Sequence, residues 1–442
     1  MRKFFRILRY SIKNLCRKPD RVQNIGIFAN VTLFLFVKAE LAARYVADIL
    51  YAAYSTSFIS SIGGAVLVFV LRWSWIISAM LFLLIRHGEI LKHRRYRELF
   101  MRKEIFGEDG MCPTYGGTTP HGHYLEAVRF HSRVHPKEWE RRRIDESLEM
   151  IDNKRIYKME DLYGDLRTMD IFLVKDELPK CIEWDDNFMV EGRNFAIGEG
   201  YMGREVWDAA AQPHGIIAGS TGSGKTALLR CIIRQAILKR YHVSVLDFKA
   251  GGDFSGMERE YLNYNEFNVP NHFRITEPVD ARDTLRLLVM EVKERAECFN
   301  HAGVTNIDEY NEKVTREGKD VPFVPWLLVI DEAAEVLDVK PKDPEEKKLF
   351  AEIDSHLRTL ARTSRSAGIH ILMGVIRPDS NILDGQIKNN LTWRVCGYFA
   401  DAPVSRIVLN NDMATKLSPH AKGRLVVGEN IVQAYYLPVQ KL

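Results

Sequence analysis

The clearest chemistry in this sequence lies in eight residues, Gly219-Ser220-Thr221-Gly222-Ser223-Gly224-Lys225-Thr226, which fit GxxxxGK[ST] without a mismatch. Glycines at these spacings let successive backbone N–H groups wrap phosphate oxygens where a helix begins, and the helix dipole there favours negative charge. In such a loop Lys225 reaches the β- and γ-phosphates and Thr226 ligates Mg2+. ATP and Mg2+ are therefore the expected cofactors. A second element is the apolar run Trp326-Leu327-Leu328-Val329-Ile330, ending in Asp331-Glu332. Asp331 is expected to hold Mg2+ through water, and Glu332 to orient and polarise the attacking water. An apolar run followed by two acids says little alone; with the phosphate loop it specifies an ATP-hydrolysing enzyme.

Such a loop works only between a strand and a helix. His214-Gly215-Ile216-Ile217-Ala218 is suited to a buried strand, and Ala227-Leu228-Leu229-Arg230-Cys231-Ile232-Ile233 has the apolar density of a packed helix. A buried parallel strand reads as a continuous apolar run, which places Asp331 and Glu332 at its C-terminal end, in the ligand crevice of an open α/β sheet. Further strands are expected at 243–246, 369–373 and 391–395, with helices over 281–300 and 345–367. The alternation predicts an α/β fold, a mostly parallel sheet with helices on both faces.

The chain of 442 residues is 46% hydrophobic and 27% charged, a composition that argues against disorder. Its net charge of +4 is uneven, because basic residues crowd the first hundred positions. The six cysteines are scattered, with no CxxC pair, and read as free thiols in a reducing compartment. Residues 1–24 form a basic N-terminus. Two apolar segments follow within 25–85. The second, Ile62 to Ile85, gives about 36 Å of helix at ~1.5 Å per residue, enough to span a bilayer. The first is interrupted by Lys38 and Glu40, and either spans or lies in the interface. Positive charge flanks both outer ends, so both termini and the main domain are expected on the cytoplasmic side of the cell membrane. Arg72 falls near mid-depth, where it either pairs with Glu40 or snorkels.

Residues 86–165 read as a basic juxtamembrane linker and a small adaptor, with Gly107, Gly110, Gly116, Gly117 and Gly122 breaking its first part into loop. His121, His123, His131 and His135 lack the carboxylate or cysteine partners of a tetrahedral site and read as solvated loop residues. Residues 166–442 form the main domain.

From about residue 190 to 437 the sequence resembles the FtsK/SpoIIIE family of membrane-anchored DNA-pumping motors. The likeness rests on Pro213–Gly219 before the phosphate loop, and on Asp247-Phe248-Lys249-Ala250-Gly251-Gly252-Asp253. It extends to Gly303-Val304-Thr305-Asn306-Ile307-Asp308-Glu309-Tyr310-Asn311, to Arg365–His370 and to Gly385–Asn390. The resemblance implies a RecA-like P-loop core working as a homo-oligomeric ring, a hexamer, with ATP between neighbours. It implies that Arg365 completes the adjacent subunit's site, with Arg362 in reserve, and that DNA phosphates are gripped near Lys249, Arg377 and Lys388 without sequence preference. Where members carry T-Q-R-P, this chain has Val375-Ile376-Arg377-Pro378, so Ile376 replaces a polar γ-phosphate sensor.

The short hairpin and the end at Leu442 lead to the expectation that no sequence-reading winged helix follows. That architecture is similar to the coupling proteins of Gram-positive conjugative elements, which implies secretion-channel proteins and a relaxase complex as partners. A chromosome-segregation pump without a sequence reader and the ATPase of a protein-export system are the alternatives.

Overall fold

The computed structural model describes residues 92–438, apart from 108–109, 162–166, 250–253, 265–272, 319–321, 342 and 379–384. The two apolar segments within 25–85, with Glu40 and Arg72, lie outside the described residues. Among the described residues no helix is long and apolar enough to cross a membrane. The chain divides into two compact units, one running to Thr119 and again over Glu126–Leu173, the other comprising Pro120–Leu125 and Val174–Leu442.

The smaller unit contains helical residues 92–102, β1 (Thr114–His121), β2 (Leu125–His131), α1 (Pro136–Arg141), α2 (Ile144–Asp152), β3 (Ile156–Glu160) and β4 (Thr168–Val174). Its sheet runs β1-β2-β4-β3. An aromatic core closes it, with Phe100 edge-on to Phe130 and to Trp139 at 5.2 and 5.4 Å. The stretch expected as loop on its glycines holds strand β1 instead. The physical reason is close approach: a Cβ on Gly116 would meet His131 Nε2 at 2.9 Å, so the glycine lets the neighbouring side chain lie across the backbone.

The larger unit carries β5 (Ile182–Glu183), β6 (Asn194–Gly200), β7 (Gly203–Asp208), β8 (His214–Ala218), α3 (Lys225–Leu238), β9 (His242–Leu246), α4 (Ser255–Tyr264), β10 (Arg274–Ile275), α5 (Pro278–Ala302) and α6 (Ile307–Glu317). It continues with β11 (Trp326–Ile330), α7 (Ala334–Leu337), α8 (Pro344–Thr363), β12 (Ile369–Val375), α9 (Gly385–Asn390), β13 (Trp393–Cys396), α10 (Ala402–Leu409), β14 (Arg424–Val427) and β15 (Asn430–Tyr436). The main sheet is ordered β10-β9-β11-β12-β8-β13-β14-β15-β6-β7, with β5 paired to β15.

From β10 to β13 every pairing is parallel. From β13 to β7 every pairing is antiparallel. The sheet is thus mixed, where the sequence led us to expect a mostly parallel one. Gly428-Glu429 and Tyr201-Met202 are two-residue connections, too short for a parallel crossover, so β14–β15 and β6–β7 close as hairpins.

In the parallel part, alternate side chains enter two cores. Ile217, Leu327 and Val329 meet Leu228, Leu229 and Ile232 of α3 on one face. Ile216, Leu328 and Ile330 meet Leu285 of α5 and Ile353, Leu357 and Leu360 of α8 on the other. Burial on both faces explains the continuous apolar runs, each large side chain contributing about 1.5–3 kcal/mol.

Candidate functional site

The strand register decides where the functional side chains meet. β12 lies between β11 and β8, with Ile330 opposite Met373 and Ala218 opposite Val375. The phosphate loop and the acidic pair therefore leave the same edge of the sheet, one strand apart. Gly219 N–H donates to Val375 O at 3.0 Å, and Ala333 N–H donates to Gly374 O at 2.8 Å, tying both loops to the end of β12.

Across that gap Lys225 Nζ donates to the backbone oxygen of Asp331 and to its Oδ1 at 3.1 Å. Lys225, Asp331 and Glu332 are all buried. A buried ammonium demands a paired anion, and the Asp331 carboxylate supplies it. Both oxygens of Glu332 accept from the Ile376 N–H at 3.2 Å. The position that lacks the family's polar side chain thus engages the acidic pair through its backbone. Gly374 makes room for this arrangement: a Cβ there would overlap Asp331 O and lie 2.9 Å from Lys225 Nζ.

The loop itself is shaped for an anion. Gly222 and Gly224 have φ of +82° and +105°, and α3 begins at Gly224 with no side-chain cap. Its first-turn N–H groups therefore face whatever the loop encloses. The Ser223 Oγ is buried with no partner among the described residues. A Cβ on Gly219 would overlap that hydroxyl, and one on Gly224 would stand 2.9 Å from Gly423. An orphaned hydroxyl, an uncapped helix start and two glycines without room for side chains fit a nucleotide triphosphate. Thr226, in the first turn beside Lys225, and Asp331 are placed to serve Mg2+, which takes one or two carboxylates together with phosphate oxygens.

Around this centre stand contacts that the sequence did not disclose. Gly423 donates its N–H to Ser223 O at 2.8 Å, bracing the phosphate loop from a turn two hundred residues away. Asp247, buried at the end of β9, accepts from Arg274 Nε at 3.0 Å. The Lys249 ammonium lies 3.8 Å from Glu332 Oε2 and 3.7 Å from Glu335 Oε1. Burial raises the Glu335 carboxyl, Lys249 pulls it down, and Glu332, Asp331 and Asp247 push it up. Only the D-x-K run offered any signal for these contacts.

Arg362, in the last turn of α8, and Arg365, just beyond it, are both exposed. The Arg365 turn is fixed from behind. Buried Arg295 donates to Ala367 O at 2.7 Å, and Ile307 N–H donates to Ser366 O at 2.9 Å. Of the three cations expected to meet DNA, Arg377 is exposed just past β12, while Lys388, on α9, has its Nζ 3.0 Å from Oδ1 of Asn410 at the end of α10. Lys249 is the one among them that touches the acidic pair. The segments that follow Lys249 and Arg377 fall partly within 250–253 and 379–384, outside the described residues.

Residues 192–380 match the FtsK/SpoIIIE family. The chain is 30% identical over 213 residues to the DNA translocase FtsK of Halalkalibacterium halodurans, covering 46% of this chain and 25% of that protein. It is 29% identical over 215 residues to the DNA translocase SpoIIIE of Bacillus subtilis, with the same shares covered. The chain thus spans about a quarter of the length of these curated relatives. Among solved structures it is similar to the pCW3 conjugation coupling protein TcpA, monomer form with ATPγS. The identity is 32% and the TM-score 0.57, over 79% of this chain and 96% of that one.

Proposed function

This chain belongs to the FtsK/SpoIIIE family of P-loop ATPases, and on that footing we propose that it is an ATP-driven DNA translocase serving as the coupling protein of a conjugative system. The observation that carries the finer reading is the reach of the likeness to the conjugation coupling protein. Residues 120–125 and 174–442 make up less than two thirds of the chain, so a likeness over 79% of it extends into the smaller unit as well. The two apolar segments within 25–85 support a membrane anchor that keeps the motor on the cytoplasmic face, beside secretion-channel proteins and a relaxase-bound strand.

The side chains divide the work by position. Lys225 and the first-turn N–H groups of α3 bind the triphosphate, and Thr226 and Asp331 take the metal ion. Mg2+–ATP, when bound, would supply the phosphoryl group and the charge that these residues are arranged to meet. Glu332, held by the Ile376 N–H, orients water and accepts its proton. Arg365 is exposed in the way a group acting on a neighbouring subunit's phosphates must be, which fits a hexameric ring. DNA is gripped through phosphates without sequence preference.

The test is ATP hydrolysis by the full chain with no DNA, single-stranded DNA or duplex DNA, alongside Lys225→Ala and Glu332→Gln. The expected result is a DNA-stimulated turnover. Lys225→Ala should abolish it together with nucleotide binding. Glu332→Gln should keep binding while losing roughly 10²–10⁴-fold in kcat. A preference for single strands favours the conjugative role and one for duplex a chromosome pump. Turnover indifferent to both forms of DNA would overturn the translocase reading in favour of protein export.

A further inference from the structure

Lys249 stands two residues beyond buried Asp247, which leaves β9 next to the strand that delivers Asp331 and Glu332. Three cations face the four carboxylates gathered at this edge. Lys225 is committed to Asp331, and Arg274 to Asp247 at 3.0 Å. Lys249 alone bridges Glu332 and Glu335, at 3.8 and 3.7 Å, with its side chain 42% exposed.

Resting on the translocase reading above, we propose that Lys249 is a positioning residue that couples DNA contact to hydrolysis. In the DNA-free protein its ammonium occupies the face of Glu332 and withholds that carboxylate from the attacking water; a backbone phosphate of DNA draws the ammonium away and frees the acid.

Three features carry this. The contacts exceed hydrogen-bond length, so they form an ion pair without fixed geometry. An ion pair this exposed is weak and salt-screened, and yields to a competing anion. The Glu332 oxygens keep their Ile376 N–H donor when the lysine leaves, so the acid stays oriented after release. Lys225, by contrast, is 6% exposed and pairs with Asp331 at 3.1 Å inside the nucleotide site.

The experiment uses the full chain, with ATPase rates and fluorescent-nucleotide binding in Mg2+ measured for wild type, Lys249→Met and Lys249→Arg, each with and without oligonucleotides. Lys249→Met should raise DNA-free kcat by roughly three- to tenfold, leave KM for ATP unchanged, and bring the DNA-stimulated to DNA-free ratio close to one. Lys249→Arg should restore both the low DNA-free rate and the stimulation. An unchanged DNA-free rate in Lys249→Met overturns the proposal. So does a fall in that rate, or a loss of nucleotide binding, since either makes the lysine part of the catalytic or binding machinery. If wild type itself ignores DNA, the translocase reading fails. The DNA-free rate of Lys249→Met then still decides whether the lysine restrains Glu332.

Discussion

At the scale of single residues, two buried histidines set a pH limit on the larger unit. His214 opens β8 and accepts the Ile371 N–H on Nδ1 at 3.1 Å, while His370 Nδ1 lies 3.2 Å from Pro213 O. Burial, with Arg365 nearby, brings His214 down to about 4. Burial again, then Arg193 and His214, brings His370 down to about 3. In the unfolded chain both titrate near 6.5, so below that value the unfolded state binds protons that the folded state refuses. Their contribution to stability is complete above pH ~6.5 and is lost progressively as pH falls towards 4. Each should cost about 1.4 kcal/mol per pH unit in that window. Urea midpoints at pH 7.0, 6.0 and 5.0 should show the decline, and His370→Gln should reduce its slope while lowering stability at pH 7. A flat profile over this range would contradict the neutral burial of both rings.

At the scale of elements, the site depends on how closely β12 passes its neighbours. Gly374 sits where a methyl group would overlap Asp331 O and crowd Lys225 Nζ. Gly374→Ala should therefore separate the phosphate loop from the acidic pair. We expect a loss of 1–3 kcal/mol in stability, as for overpacked cores, and a drop of at least ~10-fold in kcat/KM. Thermal melts and ATPase kinetics on the same preparation check both. The parallel half of the sheet was legible because β8, β11 and β12 are buried along their whole length and β9 along most of it, so apolar residues dominate all four and β11 is apolar throughout. The antiparallel half was not, because β6 reads Asn-Phe-Ala-Ile-Gly-Glu-Gly and its glycines serve packing: a Cβ on Gly198 would overlap Gln433 O of β15. The two-residue turns Gly428-Glu429, with Gly428 at φ +60°, and Tyr201-Met202, with Gly203 after it at φ +120°, were the signals that could have disclosed the hairpins.

At the scale of the whole molecule, the proposed ring would divide one reaction between neighbours, the exposed Arg365 of one subunit acting at the buried Lys225 of the next. Arg365→Ala and Lys225→Ala should each be inactive alone. When the two variants are mixed in equal amounts before assembly, about a quarter of the interfaces pair an intact arginine with an intact lysine. ATPase activity approaching that fraction of wild type is the expected outcome. No recovery in a mixture shown to co-assemble would place the arginine in its own subunit's site or outside the chemistry. The anchor, the ring and the route of DNA belong to this scale too, and all three are proposals resting on the apolar segments within 25–85 and on the likeness to a conjugation coupling protein.

The sequence alone determined the phosphate loop, the acidic pair and the strands and helix that carry them. In each case the chemistry sits in one contiguous run, and local spacing dictates both conformation and ligand. The family was equally legible, since its motifs are short runs in fixed order. Tertiary structure decided everything that joins distant runs: Lys249 against Glu332, Gly423 bracing Ser223, Arg295 behind the Arg365 turn, and β12 between the two functional strands. A contact across eighty or two hundred residues depends on strand order and register. Those are fixed by packing of the whole sheet, and no local pattern encodes them.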